Sequence, residues 1–152
     1  MYMLVLLIHS WMRYAALVAG IAATITPFAD RSGTIREGRA DMWGLVLMIV
    51  LDIQMLLGLL LYLALSPVTR AAMDDFGAAM RNPAIRFFAV EHVTLMFAAV
   101  ILAHLGRVLA RKAKTPDARR MRMAICSGLA TLVMLLGIPW PGLPSGRPLF
   151  RL

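Results

Sequence analysis

The chain holds one cysteine, eight acidic residues and three histidines in 152 positions. A single cysteine excludes a disulfide framework, a Cys-x-x-Cys redox pair and a c-type haem attachment sequence. Cys126 lies in an apolar stretch, where packing is its default role. There is no glycine-rich phosphate loop and no Ser-His-Asp arrangement, so nucleotide and soluble-hydrolase chemistry have no residues to stand on. The N-terminus lacks the positive n-region of a secretory signal. Its run Met1-Tyr-Met-Leu-Val-Leu-Leu-Ile continues past His9 and Arg13 to about Thr26, and reads as an uncleaved membrane helix.

What the chain has in abundance is hydrocarbon. Hydrophobic residues make up 61% of it, with a mean hydropathy of +0.76; soluble domains run nearer about 45–50% apolar. The expected fold is all-α, an integral membrane four-helix bundle in a lipid bilayer. Four stretches reach the roughly 20 residues needed to cross about 30 Å of hydrocarbon. The first is about 2–26, stopped by Pro27 and Asp30-Arg31-Ser32-Gly33. The second is about 42–65, with Asp41 as the expected N-cap and Ser66-Pro67 as the stop. The third, 83–109, opens through Asn82-Pro83, a cap followed by proline at the first helical position. The fourth, 115–138, begins at Thr115-Pro116-Asp117 and ends at Pro139-Trp140-Pro141-Gly142.

Between the second and third spans, Val68, Ala72, Phe76 and Ala79 recur at helical spacing, giving either a short surface helix or an ordered loop. The proline-rich tail 139–152 excludes helix and central strand. It reads as an extended arm, with Trp140 at the membrane interface, either docking on a partner or forming a disordered end. Small-xxx-small pairs (Ala16 and Gly20, Ala19 and Ala23, Ala99 and Ala103, Ala124 and Gly128) allow close helix approach. The twelve methionines read as packing.

Net charge is +8 and the isoelectric point about 11.1. The basic residues lie mostly between apolar runs, where they set topology, so no nucleic acid partner is expected. Arg31, Arg36 and Arg39, with Arg107, Arg111, Lys112, Lys114, Arg119, Arg120 and Arg122, put ten positive residues on one face. Arg70, Arg81, Arg86, Arg147 and Arg151 put five on the other. The richer face is expected to be cytoplasmic, with both termini periplasmic in a bacterial inner membrane.

Ionisable side chains inside hydrocarbon cost roughly 2.5–3.5 kcal/mol each, so they face partners, cavities or cofactors. His9 and His92 lie at matched depths, roughly 10–14 Å below the outer helix ends. They are candidate axial ligands of one haem iron, since neutral imidazoles on facing helices of a bundle suit that role. The alternative is two unrelated buried histidines, each hydrogen-bonded across the bundle. Arg86, one to two turns above His92, is the expected haem propionate partner. Arg13 and Asp52, at similar depth, are expected to form a structural ion pair. Glu91 points roughly 100° away from His92, either hydrogen-bonded to a neighbouring helix or accepting a proton beside a quinone. Gln54, Tyr14 and Tyr62 read as interhelical hydrogen-bonding groups. His104, rotated roughly 120° from His92 and about 18 Å below it, finds no histidine to join it, so one haem is expected and not two.

The set His9-Ser-x-x-Arg13-Tyr14, Asp52-Ile-Gln54-x-Leu-Leu-Gly58-Leu-Leu-Leu-Tyr62, Arg86-Phe-Phe-Ala-Val-Glu91-His92 and Gly137-Ile-Pro-Trp140-Pro resembles a family of small four-helix bacterial membrane proteins. These are labelled cytochrome b-like and occur in Bacteroidetes and related phyla. The resemblance covers nearly the whole chain, most specifically in the Glu-His and Gln-x-x-x-Gly patches. It implies membrane haem b binding with His9 and His92 as candidates. One reading is therefore a haem-b electron carrier, or a subunit of a larger redox complex, exchanging electrons with a quinone or a periplasmic acceptor without being a stand-alone enzyme. The other is a non-redox accessory subunit packing against a respiratory or photosynthetic complex or forming a homo-oligomer.

Overall fold

A computed structural model describes residues 1–29 and 37–150. The expected stop at Asp30-Arg31-Ser32-Gly33 and the charges of Arg31, Arg36 and Arg151 lie outside the described residues. Among those described there is no strand, and four helical segments are long and apolar enough to cross a membrane: Tyr2–Ile25, Gly38–Leu65, Pro83–Arg111 and Pro116–Gly137. The fold is an all-α membrane bundle.

Helix α1 (Tyr2–Ile25) is largely Leu, Ile, Ala and Val on either side of His9, Ser10 and Arg13, and Pro27 ends it close to where the sequence puts the stop. Helix α2 (Glu37–Leu60) starts before residue 42. Asp41 is thus inside the helix and is not its cap. Its carboxylate is drawn sideways to Arg107 and Arg119, at 3.8 and 3.7 Å, and its carbonyl accepts from Arg107 at 2.8 Å. α2 continues into a π-helical turn, Leu61–Leu65. Ser66 then accepts from the Thr69 N–H, and Pro67 takes the first position of α3 (Pro67–Asp74). Asp75 caps α4 (Phe76–Arg81), so the connection between the second and third spans is two short helices and not one.

Asn82 accepts from the N–H groups of Ala84 and Ile85 at 3.0 and 3.3 Å, and Pro83 opens α5 (Pro83–Arg86), as the sequence predicts. A second π-helical turn, Phe87–Glu91, leads into α6 (His92–Arg111). Thr115 caps α7 (Pro116–Gly137) by accepting from Ala118.

The four long segments form a ring in which α1 touches α2 and α7, and α6 touches the same two. Its core is made mainly of small side chains, Ala16, Ala19, Ala23, Ala99 and Ala103, filled by Leu47, Leu51 and Met134. Without a hydrophobic drive between helices in lipid, close packing of small residues supplies the association. Gly106 shows how close it is: a Cβ there would lie 2.8 Å from Cys126 Cβ. Leu4, Val18, Ile21, Ile49, Leu56, Ile101, Leu132 and Leu136 point outward, as lipid-facing residues should.

The tail is neither an extended arm nor a disordered end over the residues described. It turns back through hydrogen bonds from Gly146 N to Leu143 O and from Arg147 N to Pro139 O. Trp140 Nε1 donates to Leu135 O. Farther on, the Leu149 carbonyl accepts from Arg13 and from the Tyr14 hydroxyl, at 2.7 and 2.5 Å. Phe150 stacks on Tyr14 and leans on Trp11. Apolar and hydrogen-bonding groups on α1 thus hold the chain end that lacks a ladder or helix of its own.

Candidate functional site

The packing opens at the end of the bundle that carries Tyr2, Ser66, Pro83 and Ile138. A cavity there holds about 1290 Å³ of atom-free space, part of it open to the surroundings, beneath Pro139, Arg147 and Pro148 of the tail. Leu6, Leu17, Leu51, Leu59, Met55, Met96 and Met134 give it an apolar wall. Its polar groups include His9, Ser10, Arg13, Gln54, Tyr62, Thr69, His92 and Arg147.

His9 and His92 meet there. Their ring centroids are 6.3 Å apart, with the rings inclined at 70°. His92 is anchored by α7: its Nδ1 lies 2.7 Å from the Gly137 carbonyl. That carbonyl is free for a local reason. Its helical donor would be the N–H of residue 141, and Pro141 has none. A carbonyl oxygen only accepts, so Nδ1 carries the proton and Nε2 keeps its lone pair, the arrangement that makes a metal-binding histidine.

His9 packs against Gly58 and Gln54 of α2. A Cβ on Gly58 would sit 3.2 Å from its Cε1, so glycine makes room for the ring. Gln54 donates to the His9 carbonyl at 2.9 Å and reaches the His9 Nε2 at 3.5 Å. Its expected role as interhelical glue is what it does. His9 Nδ1 and Gln54 Oε1 are buried without a hydrogen-bond partner. These orphaned atoms show that the polar groups of the cavity are not satisfied by the protein alone.

Both π-helical turns border this site and are tied together. Tyr62 of the first donates to Ala89 O of the second at 2.8 Å, and Thr69 Oγ1 donates back to Tyr62 O at 2.7 Å. Such turns lose the i→i+4 ladder and need outside partners for the groups they release.

The π turn also relocates Arg86. In an α-helix residues five apart diverge by roughly 140°, but i→i+5 winding brings them onto one face. Arg86 Nε consequently donates to Glu91 Oε1 at 2.7 Å, with both side chains over 40% exposed, and neither lines the cavity. Arg86 is therefore not placed to meet a ligand in the cavity, and Glu91 is held by its own segment and not by a neighbouring helix. The cations that do line the cavity are Arg13 and Arg147. Arg147 was hidden in the sequence by its place in the tail.

The expected Arg13–Asp52 pair does not form. Gln54 faces α1, and Asp52, two residues earlier, is rotated by roughly 200° from it. Asp52 instead meets His104 of α6, with Oδ2 and Nε2 3.5 Å apart. Arg13 donates to Leu149 O and Tyr14 Oη.

Among the described residues no group of three or more His, Cys, Asp or Glu side chains is suited to a bare metal ion. A metal carried in a macrocycle needs fewer protein ligands, and two imidazoles suffice for a haem iron. With their ring centroids 6.3 Å apart, His9 and His92 are the residues that would hold such a group. The fold and site define a multi-pass helical membrane protein with a histidine-containing cavity. Compared with known proteins, the chain matches no family model, no curated protein and no solved structure.

Proposed function

We propose that this chain is a membrane haem-b-binding protein that carries electrons, alone or as a redox-complex subunit, with His9 and His92 as axial ligands. The observation that supports it most is the pair of imidazoles, from different helices, 6.3 Å apart inside one cavity. The Gly137 carbonyl holds His92 in the ligating tautomer. Gly58 admits the His9 ring, and Gln54 orients its backbone and edge. Haem bound there supplies a one-electron couple. The chain's own part is to orient two imidazoles and to keep water out with Leu and Met side chains. In this reading the protein lies in a bacterial inner membrane, with the cavity and both termini on the periplasmic side, and exchanges electrons with a quinone or a periplasmic acceptor.

One observation favours the second reading, an accessory subunit or homo-oligomer. Asp52 and His104 have side chains 44% and 43% exposed within membrane spans. A polar pair turned toward lipid gains from a protein neighbour that covers it.

The test is a dithionite-reduced minus oxidised spectrum of the detergent-purified chain, expressed with ample haem, together with a pyridine haemochrome assay. Sharp six-coordinate b-type bands at about one haem per chain, lost in His92→Leu, are the expected result. A colourless, folded protein refutes the haem reading and directs the search to a partner complex.

A further inference from the structure

Among the described residues no Asp or Glu lines the cavity, yet two guanidinium groups do, Arg13 and Arg147. Neither has a carboxylate within ion-pair distance among the described residues, although Arg86, Arg107, Arg119 and Arg120 all do. Arg13 is half-buried beside the apolar chamber, where an ionised group is costly, and Arg147 is exposed at its rim.

Their donors are also left over. Arg13 spends one nitrogen, Nη2, on both Leu149 O and Tyr14 Oη, and among the described residues its Nη1 and Nε make no hydrogen bond. Arg147 lies over the Phe88 ring, with Cζ 5.1 Å from its centroid. Among the described residues its guanidinium N–H groups make no hydrogen bond. Phe88 in turn lies 6.2 Å from the His92 ring, so Arg147 is stationed at the mouth beside the histidine pair.

We propose that the ligand of this cavity is a largely apolar molecule bearing carboxylates, which Arg147 at the mouth and Arg13, one helical turn deeper than His9, hold through charge-assisted hydrogen bonds. The proposal rests on the proposed function only in that haem b, with two propionates, is one such ligand. The tail is then part of the binding site: it delivers Arg147 and fixes Arg13 through Leu149.

The test separates the carboxylate from the iron. The detergent-purified full chain and its Arg147→Gln, Arg147→Lys and Arg13→Gln variants are titrated with protoporphyrin IX, haem b and the dimethyl ester of each. Binding is read by tryptophan quenching and absorbance, and thermal melts check that each variant folds. The free acids are expected to bind wild type at least about tenfold tighter than the esters, the scale of one charge-assisted hydrogen bond. Arg147→Gln should bring that ratio toward one, and Arg147→Lys should keep part of it. Equal binding of acid and ester to wild type, no binding of either acid, or an unchanged ratio in both glutamine variants overturns the inference. Acid preference without a bis-histidine spectrum removes the haem reading and leaves the carboxylate site standing. A bis-histidine spectrum with ester bound as tightly as acid does the reverse.

Discussion

Helix α6 carries two histidines twelve positions apart, and the protein treats them in opposite ways. His92 faces inward. Its Nδ1 is held by a carbonyl of another helix, and its ring looks across a cavity at a second imidazole. His104 faces the outer surface and bonds its Nδ1 to Val100 O of its own helix, leaving Nε2 for Asp52. That Nε2 meets a carboxylate oxygen and not another imidazole, which changes its chemistry. The inner histidine faces another imidazole across a cavity; the outer one faces a carboxylate at the bundle surface. Sequence neighbours do not decide the difference. The element packed opposite does.

The strongest break in this contrast is chemical. His92→Leu should abolish the b-type spectrum entirely while the bundle still folds, and His104→Leu should leave that spectrum unchanged. Difference spectra on equal amounts of folded protein read both. Loss of the spectrum in both variants would mean that the two sites are one system. Next comes Gly58→Leu, which drives a branched side chain into the space of the His9 ring. It should weaken porphyrin binding by about tenfold or more, since overpacking displaces a neighbour at about 1–3 kcal/mol. A titration with haem b measures it.

The helices were legible before any coordinates because lipid imposes length and apolarity directly on sequence. Asn82-Pro83, Ser66-Pro67 and Thr115-Pro116 marked their ends through cap chemistry that is local. The depths of His9 and His92 were legible too, as residue counts from those ends. What failed was rotation. A π-helical turn leaves no mark in hydropathy, so Arg86 was expected at the cavity and is found on Glu91. Asp52 was matched to Arg13 by depth, but the face it presents depends on which side of α2 packs against α1, and Gln54 decides that. Arg147 was out of reach for another reason. Proline-rich chain has no period, and only its docking on Trp11, Tyr14 and Arg13 reveals where it goes.

A third prediction sharpens the outer half of the contrast through stability. Removing one partner of an ion pair leaves the other unpaired, and removing both relieves that penalty. His104→Leu leaves Asp52 alone within a span, and should destabilise the bundle by about 2 kcal/mol, near the lower end of the cost of an aspartate at the helix centre. The double substitution Asp52→Leu with His104→Leu should regain most of this loss. Reversible unfolding in mixed micelles, run as a double-mutant cycle, checks it. Additive losses would mean that the 3.5 Å contact carries no coupling.

The smallest effect concerns what keeps His92 inside at all. The π turn that precedes it sets its rotation, and Tyr62 holds that turn by donating to Ala89 O. Tyr62→Phe keeps the ring and deletes one hydrogen bond, for an expected loss of about 0.5–1.5 kcal/mol in unfolding free energy. If the bond only adds stability, the melting point falls and porphyrin affinity stays. If it sets the rotation of the turn, His92 drifts from the Gly137 carbonyl and affinity falls with stability, while the His104 side of the same helix is unaffected. The expected outcome is the second. Thr69 bonds the Tyr62 carbonyl as Tyr62 bonds Ala89, so the two irregular turns are linked in one chain of hydrogen bonds, and loosening one releases the other.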